Sequence, residues 1–128
     1  MTAPLTPVCR FDRLVPERGA AVLLGDVQVA LFRVDDRVFA VSHRDPFSGA
    51  YVMARGIVGS SGDRVTVASP MYKQVFDLAT GECLTDPDVR LPVWETRVEA
   101  GTVLLAPDPV VSGSAAQGTD IVRREVPV

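Results

Sequence analysis

Apolar and polar positions along this chain follow the two-residue period of strands, and no window sustains the three-and-four spacing of a helix. Val27-Gln28-Val29-Ala30-Leu31-Phe32-Arg33-Val34 and Arg37-Val38-Phe39-Ala40-Val41-Ser42 are rich in β-branched and large apolar residues. Both carry apolar side chains on both faces, the pattern of strands deep in a sandwich or barrel. Arg64-Val65-Thr66-Val67-Ala68 alternates more cleanly and reads as a half-exposed strand. Trp94-Glu95-Thr96-Arg97-Val98-Glu99 places Trp94, Thr96 and Val98 on one side and three charges on the other. The helical pattern is restricted to one short turn near residues 50–55.

Turn residues fall where hairpins need them. Gly25-Asp26 stands between Leu24 and Val27, and glycine in first place suits the II′ turn that matches strand twist. Asp35-Asp36, Ala79-Thr80-Gly81 and Ala100-Gly101 separate further strand pairs. Two stretches interrupt the rhythm, residues 43–56 and 69–74, each with a proline after a small polar or acidic residue (Asp45-Pro46 and Ser69-Pro70). The expected organisation is one all-β domain over residues 7–106. A flexible N-terminus occupies residues 1–6. A flexible tail of Pro, Gly, Ser and Ala character follows over 107–128. Within that tail Ile121-Val122-Arg123-Arg124-Glu125-Val126 has strand or docking character, although a frayed terminus is the expectation.

Composition narrows the function. With 128 residues there is room for one core. Thirteen Lys and Arg against sixteen Asp and Glu give a net charge of −3, which argues against nucleic acid and against an anionic membrane face. No apolar run approaches the ~20 residues of a membrane span. The first residues lack a signal-peptide layout, so a cytoplasmic location is expected. The two cysteines, Cys9 and Cys83, are far apart and read as ordinary thiols of a reducing compartment. Nothing in the spacing brings either to the single histidine, His43, as a nucleophile would require. Gly56-x-x-Gly59-x-x-Gly62 is not a dinucleotide fingerprint.

The order of the two interrupting loops is informative: strands, Arg44-Asp45-Pro46-Phe47, a hairpin, Ser69-Pro70-Met71-Tyr72, then Val75-Phe76-Asp77-Leu78-Ala79-Thr80-Gly81. This order resembles the Rieske iron–sulfur domain, whose loops read Cys-Pro-His and Cys-Pro-x-His before a Phe-Asp-x-x-x-Gly hairpin. The resemblance puts Asp45 and Ser69 at the cysteine positions and Phe47 and Tyr72 at the histidine positions. A [2Fe–2S] centre of that type needs two thiolates and two imidazoles, and none of the four vacated positions supplies either. Asp45, Tyr72 and His43 mix donor types that suit a single iron or zinc. Two separate loops would have to bring them to ~2.0–2.2 Å, so no metal is expected. In its place a latch is expected, with Phe47 and the Tyr72 ring buried and the Tyr72 hydroxyl donating to Asp45.

The match is closer still to one family. Arg44-Asp45-Pro46-Phe47-Ser48-Gly49-Ala50, Arg55-Gly56-Ile57-Val58-Gly59 and Ala68-Ser69-Pro70-Met71-Tyr72-Lys73-Gln74-Val75-Phe76-Asp77 resemble the small subunit of assimilatory NAD(P)H-dependent nitrite reductase. That resemblance implies a Rieske-like antiparallel β-sandwich or barrel with the two loops at its tip. It implies an accessory, non-redox subunit without catalytic residues, cofactor or activity of its own. The partner it implies is a large catalytic subunit carrying FAD, a [4Fe–4S] cluster and sirohaem, which uses NAD(P)H to reduce nitrite to ammonium. His43, Arg44, Asp45, Tyr72, Lys73 and Gln74 are then the expected docking residues. The competing readings are solvated charges at Arg44 and Lys73, and an interaction module or electron-transfer subunit of a different oxidoreductase complex.

Overall fold

The computed structural model describes residues 4–110. Of the expected tail, 111–128 lie outside the described residues, as do Ile121 to Val126 within it and residues 1–3 at the other end. The described part of the tail is held to the domain at one point, where the Val110 N–H donates to the Val93 carbonyl at 2.7 Å.

Ten strands form three antiparallel sheets: β1 (Thr6–Arg10), β2 (Ala20–Leu24), β3 (Val27–Val34), β4 (Arg37–Ser42), β5 (Ile57–Ser61), β6 (Arg64–Ala68), β7 (Val75–Asp77), β8 (Val93–Trp94), β9 (Thr96–Glu99) and β10 (Thr102–Leu105). The sheet orders are β1-β10-β9, β2-β3-β4-β8 and β5-β6-β7. The first strand begins at Thr6, inside the stretch read as flexible. The expected helical turn is a 3-10 turn at Met53–Arg55, and a second, Phe11–Arg13, follows β1.

The β2-β3-β4-β8 sheet is covered on both faces, which accounts for the unbroken apolar run of β3. Ala30 and Phe32 face one core cluster with Val41, Met53, Val67, Phe76 and Leu78. Val29 and Leu31 face the other, with Leu24, Val38, Trp94, Val103 and Leu105. Successive side chains point to opposite faces, so a strand buried on both sides must be apolar at every position. The two-residue turns fall at Gly25-Asp26, Asp35-Asp36 and Ala100-Gly101, as the sequence predicts.

One expectation is corrected. Trp94 to Glu99 is not a single strand, because the chain leaves one sheet and enters another at Glu95. Trp94 pairs with Ala40 of β4, whereas Thr96 pairs with Leu105 of β10. A strand that changes sheets closes a corner between layers, and the Thr96 hydroxyl secures it by donating to the Val38 carbonyl at 2.8 Å. Val98 is exposed, although it pairs with the buried Val103.

The turn after β7 has the tightest steric limit. Gly81 has φ +81°, and a Cβ there would collide with the Leu91 carbonyl, whereas Gly25, at φ +65°, has open space around it. Gly25→Ala should cost about 1 kcal/mol, the left-handed penalty alone. Gly81→Ala should exceed that by at least ~1–3 kcal/mol as overpacking is added. Urea unfolding of both variants checks the ordering.

Candidate functional site

The loops at residues 45–50 and 69–74 are built to one plan. In the first, the Asp45 N–H donates to the Ala50 carbonyl at 2.8 Å and the Gly49 N–H donates to the Asp45 carbonyl at 2.7 Å. In the second, the Ser69 N–H donates to Gln74 and the Lys73 N–H to Ser69, both at 2.9 Å. The leading side chain caps its own turn in each. Asp45 Oδ1 accepts from the Phe47 N–H at 2.8 Å, and Ser69 Oγ accepts from the Met71 N–H at 3.2 Å. The fifth residue of each is left-handed, Gly49 at φ +80° and Lys73 at φ +58°. Pro46 and Pro70, in second place, pre-set the turn and carry no N–H that would need a partner.

The leading residues of the two loops meet. Ser69 Oγ donates to Asp45 Oδ2 at 2.6 Å, with Asp45 0% and Ser69 1% exposed. Both Asp45 oxygens therefore hold hydrogen bonds, which is what a buried carboxylate requires. The loops are joined, but by Ser69 and not by the expected Tyr72 hydroxyl. Tyr72 is 61% exposed. It stands fourth in its turn and points outward, while the short Ser69 side chain, in first place, points inward. Phe47 is half-buried with its ring centroid 6.2 Å from that of Phe76, so of the expected packing only the Phe47 part is present and the Tyr72 ring is not buried.

A [2Fe–2S] cluster does not fit these residues. At the two thiolate positions stand a carboxylate and a hydroxyl already bonded to each other, and at the imidazole positions a phenyl ring and an outward phenol. Among the described residues no group of three His, Cys, Asp or Glu is placed to hold a metal ion. Cys9 and Cys83 are free thiols packed against different core clusters. Burial pushes the Cys9 thiol up, away from the thiolate that a nucleophile needs.

The six expected docking residues divide. Arg44, Tyr72 and Lys73 are exposed. Gln74 is half-buried, with its side-chain oxygen bonded to the Thr85 hydroxyl. Asp45 offers no surface at all. His43 is buried, and its Nδ1 accepts from the Ala54 N–H at 3.1 Å, so it holds a loop and is neutral. Burial, and then the Arg55 charge, lower its pKa below the ordinary histidine value. Four exposed residues that sequence reasoning did not single out lie on the same loops and their exits: Tyr51, Arg55, Ile57 and Met71. Tyr51 bridges to Arg44, and Ile57 pairs with Ala68 beside Ser69. For Tyr51 and Met71 the signal is a large apolar side chain in a loop that no alternation explains.

Comparison with known proteins bears on this geometry directly. Residues 5–106 match the family model described as a Rieske-like [2Fe-2S] domain. The nitrite reductase (NADH) small subunit of Escherichia coli K12 is 42% identical over 100 residues, 77% of this chain and 93% of that protein. This chain belongs to the nitrite reductase small-subunit family. A crystal structure assigned as the NADH-dependent nitrite reductase small subunit of Mycobacterium tuberculosis superposes with a TM-score of 0.77 at 53% identity, covering 80% of this chain and 94% of that one. In Klebsiella oxytoca a 35% identical stretch, matching 78% of this chain, makes up 10% of a polypeptide named nitrite reductase [NAD(P)H] large subunit. The all-β, Rieske-like expectation for the small-subunit family therefore holds. No helix among the described residues is long and apolar enough to cross a membrane.

Two measurements probe the loops. Ser69→Ala removes the donor to Asp45 and should lower unfolding stability by ~1–3 kcal/mol. Tyr72→Phe should stay within ~0.5 kcal/mol, as at an uninvolved surface site. Separately, a lowered His43 pKa means that protonation favours the unfolded chain. Its contribution is whole above the unfolded value of about 6.5 and is lost as pH falls through the folded one. The melting temperature should drop between about pH 7.5 and 5.5, less so in His43→Asn, whose amide oxygen still accepts from Ala54.

Proposed function

We propose that this chain is a cluster-free accessory subunit of a cytoplasmic NAD(P)H-dependent nitrite reductase of nitrate assimilation, docking through its two-loop tip onto the large subunit. That large subunit carries FAD, a [4Fe–4S] cluster and sirohaem and reduces nitrite to ammonium. The small subunit contributes surface and shape, with no redox group or catalytic residue of its own. The observation that carries the reading is the Asp45–Ser69 hydrogen bond, which fills the place of a metal join with oxygen atoms. Membership of the small-subunit family supports the choice of partner.

Arg44, Tyr72 and Lys73 form the docking surface, with Tyr51, Arg55, Ile57 and Met71 around them. Arginine and large aromatic residues are the types that anchor interfaces. Among the described residues, the ion pairs within 4.0 Å involve Arg10, Arg64 and Arg97, and leave Arg44, Arg55 and Lys73 to a partner. The exposed charges at this end are basic, so it selects an acidic face.

The purified protein should be colourless, without stoichiometric iron or acid-labile sulfide. A brown, iron-loaded preparation would refute the reading. In parallel, Arg44→Glu with Lys73→Glu should weaken binding to the large subunit about tenfold or more, a change of ~1.4 kcal/mol. Unaltered binding would move the interface off the tip.

A further inference from the structure

Most edges of the three sheets are closed to further pairing. β1 carries Pro7 and an irregular register between Pro7 and Cys9. β9 carries Arg97 and Glu99. β7 is capped where the Leu84 N–H donates to the Val75 carbonyl at 2.8 Å, and β8 where Val110 reaches Val93. Proline, charge, irregular pairing and cover are the ordinary devices against edge-to-edge pairing.

β5 has none of them. Its residues, Ile57-Val58-Gly59-Ser60-Ser61, include no charge and no proline, and it pairs only with β6. The two-residue turn Gly62-Asp63 fixes which groups point outward. Ser61 and Arg64 close the hairpin, so Ser61, Gly59 and Ile57 bond toward β6, while Val58 and Ser60 turn their N–H and C=O away from it. The alternation is confirmed from the far side of β6. The Val65 carbonyl, opposite Ser60, accepts from the Leu78 N–H and not from β5. Among the described residues nothing bonds the outward groups of Val58 and Ser60.

The edge opens into a groove. Glu17, Arg18 and Gly19 form one wall, and Ala54 and Arg55 continue into Ile57 and Val58 on the other. Arg18 and Arg55 are exposed against the single carboxylate of Glu17, and Ile57 is 75% exposed at the head of the strand. Arg55 and Ile57 belong equally to the tip, so edge and tip make one continuous surface.

We propose that the β5 edge receives an extended, carboxylate-bearing segment of the large nitrite reductase subunit as an added strand. The inference deepens the docking function above and rests on it. The segment bonds Val58 and Ser60 through its main chain, covers Ile57 with an apolar side chain and sets a carboxylate between Arg18 and Arg55. Main-chain pairing supplies affinity in such additions, and the flanking side chains supply selection. A second copy of this chain, which would pair antiparallel with Ile57 opposite Ser61, is the competing occupant that the measurements below distinguish. The fused Klebsiella oxytoca relative carries its large-subunit sequence in the same polypeptide as the matching domain, in keeping with a partner of that kind.

Hydrogen exchange on the full chain, alone and with the large subunit, tests this. The Val58 and Ser60 amides should exchange freely in the isolated chain and slow at least tenfold in the complex. Ala21 and Leu23, on the outward side of the uncharged edge of β2, should stay unchanged. Ser60→Pro removes an outward donor and leaves the β6 ladder intact, so it should weaken binding at least tenfold while Ser60→Ala binds normally. If the proline variant does not fold, the exchange data decide alone. A complex that forms with unaltered Val58 and Ser60 rates, or with protection at β2 in their place, overturns the edge and leaves tip docking standing. Protection in the isolated chain, concentration-dependent and with a dimer in solution, overturns it in favour of self-pairing. Failure to form any complex overturns the docking function itself, and the edge with it.

Discussion

A single charged hydrogen bond, from the Ser69 hydroxyl to Asp45, joins two turns separated by 24 positions in sequence, and the geometry of the tip depends on it. A buried carboxylate without donors costs several kcal/mol, so Asp45 is tolerable only because Ser69 and the Phe47 N–H both reach it. That requirement runs in both directions. It forces the second turn to close over the first, and it makes each turn place its leading side chain inward. Phe47 then packs toward Phe76, and the loop carrying Tyr72, Lys73 and Met71 is presented outward as a consequence.

What the sequence made legible was periodic or local. The strands of the central sheet announce themselves by apolar residues on both faces, and the Gly25-Asp26 and Ala100-Gly101 turns by residue type. The positions of Asp45 and Ser69 came from motif order, which fixes places along the chain and not directions in space. That is why Tyr72 was a plausible donor on paper: a hydroxyl and a carboxylate on facing loops satisfy the chemistry whichever way they point. Only the turn position decides, and first place points inward where fourth place points out. Burial is likewise invisible to composition, so Asp45 and His43 looked like surface groups. β5 was hard to see as a strand because Gly59, Ser60 and Ser61 lack the β-branched signal, and the same plainness leaves its edge unguarded.

Charge distribution bears on the docking proposed above. The chain is acidic overall, yet the exposed charges of its two loops are Arg44, Arg55 and Lys73. Relatives in which the domain lies within a long nitrite reductase polypeptide avoid the problem, since a tether raises the effective concentration of the docking surface by orders of magnitude. In the docking proposed above, selectivity that does not come from a tether comes from steering and from surface match. A basic tip with aromatic and aliphatic side chains between its charges is suited to both.

The same turn occurs a third time, which shows what the site is made of. From Asp77 to Glu82 the pattern repeats: the Asp77 N–H donates to Glu82 at 2.8 Å, the Gly81 N–H donates to Asp77 at 2.7 Å, and Asp77 Oδ1 accepts from Ala79 at 2.7 Å. Here no second turn faces it, and the remaining Asp77 oxygen finds Arg64 at 3.5 Å. The turn is thus a general local device, a capping side chain with a left-handed fifth residue, and it carries no function alone. What distinguishes the tip is that two copies face each other, joined through the residues in first place. Thiols at positions 45 and 69 would still leave a second iron facing a phenyl ring and an outward phenol. On the function proposed above, redox inertness is a property of four positions acting together, and a change at one or two of them would remove the latch without restoring a centre.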